Sequence, residues 1–484
     1  MGCKLDRWMP KTGIGTAARP LRVAIVGSGP SGFYAAEAIA RAEGLDACVD
    51  MYERLPTPFG LVRAGVAPDH QKIKRVARIY EARAASDRFR LIANVTLGRD
   101  VLVSDLRRHY DAIIYAVGGE RSRRIDVPGS DLAHSHPATV FVGWYNGHPD
   151  FRDATYDLSV RRAAVVGNGN VAIDVARILS RTPEELRVTD VAEHALDALR
   201  HSQIEEVVVL GRRGPLQAAF TPNELDELAE LAGADVVVRP EDVALDPESL
   251  ADYATAPSSA RRNVERLRRF AERGEGHHRR KLRLRFLVSP EEVLADERGT
   301  VRGLRLRHNE LVRAEDGALR PRPTDRTEEL EVGLLIWAIG YRGAPIPGVP
   351  FDDAAGVVEN DGGRVTDHGV IVPGEYVVGW ARTGAQGLIG SHKAASAEIV
   401  KKMLDDLHEG QLPQKVLPPP RELDELLAER GVVVVRYRDW RFLDAIEQER
   451  GARRGAPRDK LTRVDDMLAK LAHTAATEGP RRTG

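Results

Sequence analysis

Gly27, Gly29 and Gly32 in VAIVGSGPSGFYAAEAIA, and Gly167, Gly169 and Ala172 in AAVVGNGNVAIDVARIL, set small residues at GxGxxG and GxGxxA spacing between an apolar run and a helical one. In such a turn the first glycine bends the chain, the second admits a pyrophosphate, and the third small residue lets helix pack on strand. The helix N-terminus then faces the phosphates with its free N–H groups. The chemistry implied is the binding of two dinucleotides by one chain.

The residues that end the next strand separate the two sites. ACVDMYER closes on Glu53, whose carboxylate accepts from the ribose hydroxyls of a nucleotide without a 2′-phosphate, which suits FAD or NAD. EEVVVLGRRG closes on Arg212 and Arg213, whose guanidinium forks match the charge and shape of the 2′-phosphate of NADP. A flavin beside a nicotinamide nucleotide implies hydride transfer, whereas two nicotinamide sites would only move hydride between pools. The stretch RTPEELRVTDVAEHALDALRHSQ, inserted before the strand that leads to Arg212, is expected to lie on the surface.

These turns need strands and helices to hold them. From Leu21 the pattern strand, turn, helix, strand opens a doubly wound sheet, and DAIIYAVGG at 111–119 adds a short strand. A second unit runs from Ala163 through EEVVVLGRRG and ADVVVRPEDV to VGLLIWAIGY at 332–341. The similar strands IIYAVGG and LIWAIGY bracket it. The sequence thus predicts an α/β fold of two Rossmann-like dinucleotide-binding domains, the NADP domain inserted into the FAD domain. The expected bounds are 1–20 for an N-terminal extension, 21–120 and 346–415 for the FAD domain, 121–345 for the NADP domain and 416–484 for a C-terminal extension. KVLPPPREL is a stiff break, and WRFLDAIEQERGARRGAPRDKLTRVDDMLAKLA reads as helices around a polar loop, an appendix rather than a site.

Composition narrows the classes. A chain of 484 residues exceeds the size of most single cores. With 71 Lys and Arg against 72 Asp and Glu, a wholly basic nucleic-acid binder is excluded. Cys3 and Cys48 form no CxxC, which argues against a disulfide framework, a cysteine metal site and the redox pair of a thioredoxin-reductase type of enzyme. No secretory h-region and no run of 18 apolar residues is present, so a cytosolic protein without membrane insertion is expected. The opening MGCKLD carries Asp6 where a myristoylation pattern needs Ser or Thr.

VAIVGSGPSGFYAAEAI, PFGLVRAGVAPDH, FVGWYN, VVGNGNVAIDVARIL, GRRGPLQAAFTPNEL and GWARTGAQGLIGSHK resemble, in order from about 21 to 410, the blocks of the adrenodoxin-reductase-like ferredoxin-NADP reductase family. GAPRDKLTRVDDML resembles the added C-terminal segment of bacterial members. The resemblance implies FAD held by Gly27, Ser28, Gly29, Pro30, Glu53, Leu61 and Val62, with Gly379, Trp380, Gly387, Leu388 and Ile389 closing the flavin pocket. It implies NADP on Asn168, Gly169, Asn170, Val171, Arg212, Arg213, Glu224 and Gly387, and it places His70 and Asp174 near the flavin and nicotinamide rings. Where the family commonly has proline, Ala385 stands in GAQGLIG, so a looser loop is expected.

Hydride transfer from nicotinamide to flavin is cofactor chemistry, and the protein has to stack the rings and exclude water. His70, with a pKa near neutrality, is the candidate for supplying or taking a proton, while Asp69 is suited to capping a helix. Asp174 and Glu224 complete the candidate catalytic group. A ferredoxin partner is acidic, and residues 261–285, with 11 Lys or Arg against 3 Asp or Glu, form the candidate dock. An NADPH-dependent diaphorase or quinone reductase would differ only in acceptor; a non-catalytic NADPH sensor would need no flavin.

Overall fold

Near-continuous apolar strands such as Leu21–Val26 and Glu206–Leu210 suit parallel sheets covered on both faces. The computed structural model contains two of them, and describes residues 13–387 and 389–478. Leu388, Cys3, the MGCKLD opening and the last six residues lie outside the described residues.

The first sheet has seven strands, in the order Asn360–Asp361, Arg364–Asp367, Val370–Val377, Ala112–Tyr115, Leu21–Val26, Ala47–Glu53 and Phe89–Ala93. The last five are mutually parallel. The second sheet is parallel throughout, in the order Ser135–Pro137, Leu334–Trp337, Arg162–Val166, Glu206–Leu210, Arg280–Arg285 and Ala234–Val238. The chain therefore leaves the first sheet after Tyr115 and returns to it after building the second. The outgoing and returning passages pair with each other, Arg121–Ser122 against Tyr341–Arg342.

An antiparallel layer that the sequence reading did not find, Val288–Ala295, Val301–Arg313 and Leu319–Glu331, covers one face of the second sheet. Val293, Leu304 and Leu306 pack there against Val208, Leu210 and Trp337.

Two expectations are corrected. The insertion at 181–203 is not a surface helix: Leu186, Ala195, Leu196 and Leu199 of helices Pro183–Arg187 and Glu193–Arg200 enter the core of the second unit. Nor is the C-terminal segment an appendix. Its residues Trp440, Leu443, Leu461 and Met467 are buried in the core beneath the first sheet, beside Phe59 and Tyr80. Among the described residues no helix is long and apolar enough to cross a membrane.

Candidate functional site

At the first turn a Cβ on Gly27 (φ +107°) would stand 2.4 Å from the Ala116 carbonyl oxygen, and one on Gly32 2.2 Å from the Gly27 carbonyl oxygen. These glycines are required by protein packing. Gly29, the residue before helix Pro30–Ala40, differs: a Cβ there meets no atom of the described residues within 4 Å, so its backbone is open at the helix N-terminus. The second turn repeats this arrangement. Gly167 (φ +149°) lies against the Ala338 carbonyl, with 2.3 Å to its oxygen, while Gly169 before helix Asn170–Ser180 faces nothing within 4 Å. Ala172 is fully buried, in the close-packing role of the third position. Both turns thus expose backbone where a pyrophosphate would lie.

Glu53 at the end of its strand fixes the first turn. Its Oε2 accepts from the Ser28 hydroxyl at 2.6 Å and the Ser28 amide at 3.2 Å, and Oε1 from the Leu55 amide at 3.0 Å. Gly60 (φ +47°), whose Cβ would stand 3.0 Å from the Gly29 Cα, leads into helix Leu61–Ala64 and brings Leu61 and buried Val62 against that turn. From the far end of the chain, Gly379 (φ +65°) sits over Ser31, with 2.3 Å between its Cβ position and the hydroxyl, and delivers Trp380 beside Tyr341 at 5.4 Å between ring centres. The Trp380 indole donates to the Gln386 carbonyl at 3.0 Å, next to Ala385. Gly387 and Ile389 follow it, Gly387 at φ +81° against Ser391.

At the second site Asn170 Oδ1 accepts from the Thr221 amide at 2.9 Å, and the Asn168 carbonyl accepts from the Ala219 amide at 2.8 Å. Val171 continues the first helical turn. The buried Asn168 Nδ2 has no hydrogen-bond partner among the described residues. Arg212 and Arg213 form no ion pair with any described residue, in a chain whose other arginines are mostly paired. Arg213 loses proton affinity through burial and through the charge of Arg212.

Where Asp69 and His70 meet helices Asn170–Ser180 and Pro222–Leu228 lies a charged junction, centred on a residue the sequence reading missed. Arg177 is fully buried and donates Nε to Asp69 at 2.7 Å, Nη2 to Asp69 at 3.0 Å and Asp174 at 2.7 Å, and Nη1 to Glu224 at 3.2 Å. Asp69 also accepts from Arg181 at 2.9 Å, so it joins the two units rather than capping a helix. His70 Nε2 touches Glu227, lies 2.6 Å from Arg177 Nη2, 3.7 Å from Asp174 and 3.9 Å from Glu224. One ring nitrogen therefore meets both a donor and an acceptor. The structure does bring His70, Asp174 and Glu224 together, with Glu227 added from helix Pro222–Leu228. His70, Glu224 and Glu227 place ligand atoms within 4.8 Å of one another, but the Arg177 guanidinium fills the same cluster as its counter-charge.

Burial drives the Glu224 carboxyl up to about 8, helped by Asp174 and opposed by Arg177. Burial would lower His70, yet Glu227 and Asp174 outweigh it and hold the imidazolium above its ordinary range. Asp174 is raised by burial against the pull of Arg177. Asp69 goes the other way: Arg177 and Arg181 overcome burial and keep it ionised.

The candidate dock divides in two. Arg279, Lys281, Arg283 and Arg285, on and next to strand Arg280–Arg285, are paired with Glu205, Asp235, Glu206 and Glu328. On helix Ser258–Arg273, Arg262, Arg268 and Arg269 are exposed and form no ion pair among the described residues.

Two glycine turns, each on the parallel strands of one of two interleaved sheets, define a two-dinucleotide oxidoreductase, and residues 21–209 match the description "Pyridine nucleotide-disulphide oxidoreductase". The chain is 44% identical over 458 residues to the NADPH-ferredoxin reductase FprA of Mycobacterium tuberculosis, covering 93% of this chain and 99% of that one. It is 40% identical over 468 residues to human mitochondrial NADPH:adrenodoxin oxidoreductase, covering 95% and 93%. A solved structure of FprA in complex with NADPH superposes with a TM-score of 0.89 at 43% identity, over 94% of this chain and 100% of that chain. The chain belongs to the adrenodoxin-reductase-like ferredoxin-NADP reductase family.

Proposed function

We propose that the protein is an FAD-dependent ferredoxin-NADP reductase. The observation that carries the reading is the pair of turns whose middle glycines are open, with Glu53 behind one and the unpaired Arg212 and Arg213 behind the other. The activities named for the two relatives support it. On this reading residues 21–120 with 346–415 form the FAD domain and 121–345 the NADP domain. Two cysteines in 484 residues suit a reducing compartment, and we assign the protein to the cytosol.

The residues fit both cofactors. Gly27 to Pro30, Leu61 and Val62 would hold the FAD pyrophosphate and Glu53 its ribose, while Gly379, Trp380, Gly387 and Ile389 close over the flavin. Asn168 to Val171 would hold the NADP pyrophosphate, the free Asn168 amide supplies an unused donor, and Arg212 and Arg213 take the 2′-phosphate. FAD held by these residues would supply the chemistry that links two-electron hydride transfer from NADPH to single-electron transfer to an iron-sulfur protein. The chain's own part is positioning and proton control. Arg177 fixes Asp174 and Glu224, and His70, whose proton affinity Glu227 and Asp174 raise, stands beside the junction with the Glu224 carboxyl, which burial raises to about 8. An acidic ferredoxin meets the unpaired arginines of helix Ser258–Arg273.

The test is anaerobic titration of the purified protein with NADPH and with NADH, following flavin absorbance. Bleaching at far lower NADPH than NADH is expected. A colourless protein would defeat the flavin assignment, and equal response to both nucleotides would defeat that of Arg212 and Arg213.

A further inference from the structure

The C-terminal segment is bonded to both units at once. On the first unit, Val435 exchanges two backbone hydrogen bonds of 2.9 Å with Ala93 on the sheet's edge strand, and Trp440 meets Phe59 edge-on at 5.9 Å. Glu447, with none of its surface exposed, accepts from both Nη atoms of Arg63 at 2.8 and 2.5 Å, from Arg458 at 3.2 Å and from the Leu461 amide at 2.9 Å. Arg63 belongs to helix Leu61–Ala64, which follows directly on Gly60, the residue that lies against the Gly29 turn. Burial would raise Glu447, but Arg63 and Arg458 outweigh it and keep the carboxylate ionised.

A few residues later the same segment grips the second unit. Arg454 donates to Glu193 at 2.7 Å and to the Val191 carbonyl at 2.6 Å, and its own carbonyl accepts from Arg187 at 2.6 Å. Lys460 is 3% exposed and lies 3.2 Å from Asp190, which also pairs with Lys74 at 2.7 Å. Asn146 Oδ1 accepts from Lys460 at 3.3 Å and from Lys74 at 3.5 Å. Lys74 lies four residues beyond His70. Asp190 thus fastens together the flavin-side loop, the nucleotide-side unit and the C-terminal segment. Burying two lysines with one carboxylate is costly, and removing one member of such a group leaves the others without their partner, so the three stretches are held together.

Two units of one chain are expected to shift relative to each other unless the interface between them is large or strongly bonded. Hydride transfer tolerates little such movement, because reacting atoms must stand about 3 to 3.5 Å apart. We propose that residues 437–463 act as a clasp that sets the spacing of the two nucleotide sites, with Lys460 and Arg454 as positioning residues for hydride transfer. This rests on the function proposed above.

The test uses the flavin-loaded full chain and the variants Lys460→Met, Arg454→Ala, Arg454→Glu and the exchange Arg454→Glu with Glu193→Arg. Three quantities are read: flavin content with NADPH affinity, the single-turnover rate of flavin reduction, and amide hydrogen exchange. In each single variant, flavin content and NADPH affinity stay near those of the parent. Reduction slows about tenfold or more, and exchange rises together at 61–74 and 187–193. The exchange variant, which restores the ion pair but not the bond to the Val191 carbonyl, recovers part of the rate and protection lost in Arg454→Glu. An unchanged reduction rate in Arg454→Ala overturns the proposal, as does faster exchange confined to one of the two stretches. If Lys460→Met does not fold, the partly exposed Arg454 and its exchange decide. Failure of the parent to bind flavin would instead overturn the proposed function, and the exchange readings would still report on the clasp.

Discussion

Glu224 keeps a proton that an exposed glutamate would have lost, because it is buried 3.9 Å from His70 and beside Asp174 with only a 3.2 Å bond from Arg177 to stabilise its charge. A carboxyl raised from 4.5 to about 8 binds more protons folded than unfolded across that interval. Its contribution to stability is therefore complete below about pH 4.5 and lost as pH rises to about 8. His70, also raised, acts in the same direction at higher pH. Thermal midpoints measured between pH 6 and 9 are expected to fall for the parent and to fall less for Glu224→Gln; parallel curves would remove Glu224 as the cause. Arg212 and Arg213 present the converse problem, two like charges side by side with no acidic partner among the described residues. A charge-assisted hydrogen bond contributes about 1.5–3 kcal/mol, so Arg212→Ala or Arg213→Ala should weaken NADPH binding roughly tenfold to a hundredfold. NADH, lacking the 2′-phosphate, should bind within about twofold of the parent, and calorimetric titration with both nucleotides checks this.

At the scale of the element, each glycine turn separates a packing demand from a binding one. Gly29→Ala adds a methyl group where no protein atom lies within 4 Å and the backbone is already in an ordinary region (φ −78°), so the fold should survive while flavin is lost. Gly169→Ala should keep flavin and lose NADPH. Gly27→Ala forces a Cβ to 2.4 Å from a carbonyl oxygen at φ +107° and should destabilise the whole first unit, by several degrees in Tm. Absorbance at constant protein separates the three; retention of flavin by Gly29→Ala would refute the assignment of that turn. These turns were legible in the sequence because their information is local: a short apolar run, fixed glycine spacing, and a charged residue after the next strand. The antiparallel layer was hidden for a related reason. Leu319–Glu331 is mostly exposed along its length and carries prolines and charges on both faces, so it lacks the alternation that marks a half-buried strand. Arg177 was hidden because an arginine three residues after Asp174 on a helix reads as a solvated pair, and only the approach of Asp69 from the other unit buries it.

For the whole molecule, what the sequence concealed was the assembly of distant stretches. Nothing local in WRFLDAIEQERGARRGAPRDKLTRVDDML reveals that Lys460 meets Asp190 or that Glu447 meets Arg63, since each half of these pairs is an ordinary charge in an ordinary helix or loop. The basic stretch at 261–285 was visible as composition, but its meaning changed once folded, because the strand residues found carboxylates and the outer face of helix Ser258–Arg273 did not. The two units come together at helix Pro222–Leu228, which carries Glu227 to His70 and Asp226 to Arg266 of that basic helix at 2.5 Å. The unpaired arginines are thus one helix away from the junction, a suitable place for an acidic carrier to arrive. Long-range attraction between exposed charges acts on encounter more than on the bound state, and it is screened beyond about 10 Å at 0.1 M salt. Reversing Arg268 and Arg269 to Glu should therefore slow reduction of an acidic ferredoxin by roughly tenfold or more at low ionic strength, with the deficit shrinking as salt is added. Reduction of a small neutral dye, which needs no steering, should keep the parent's rate at every salt concentration. Steady-state kinetics with both acceptors across a salt series decides the point: equal losses for ferredoxin and dye would mean that the helix supports the fold of the second unit and that the carrier lands elsewhere.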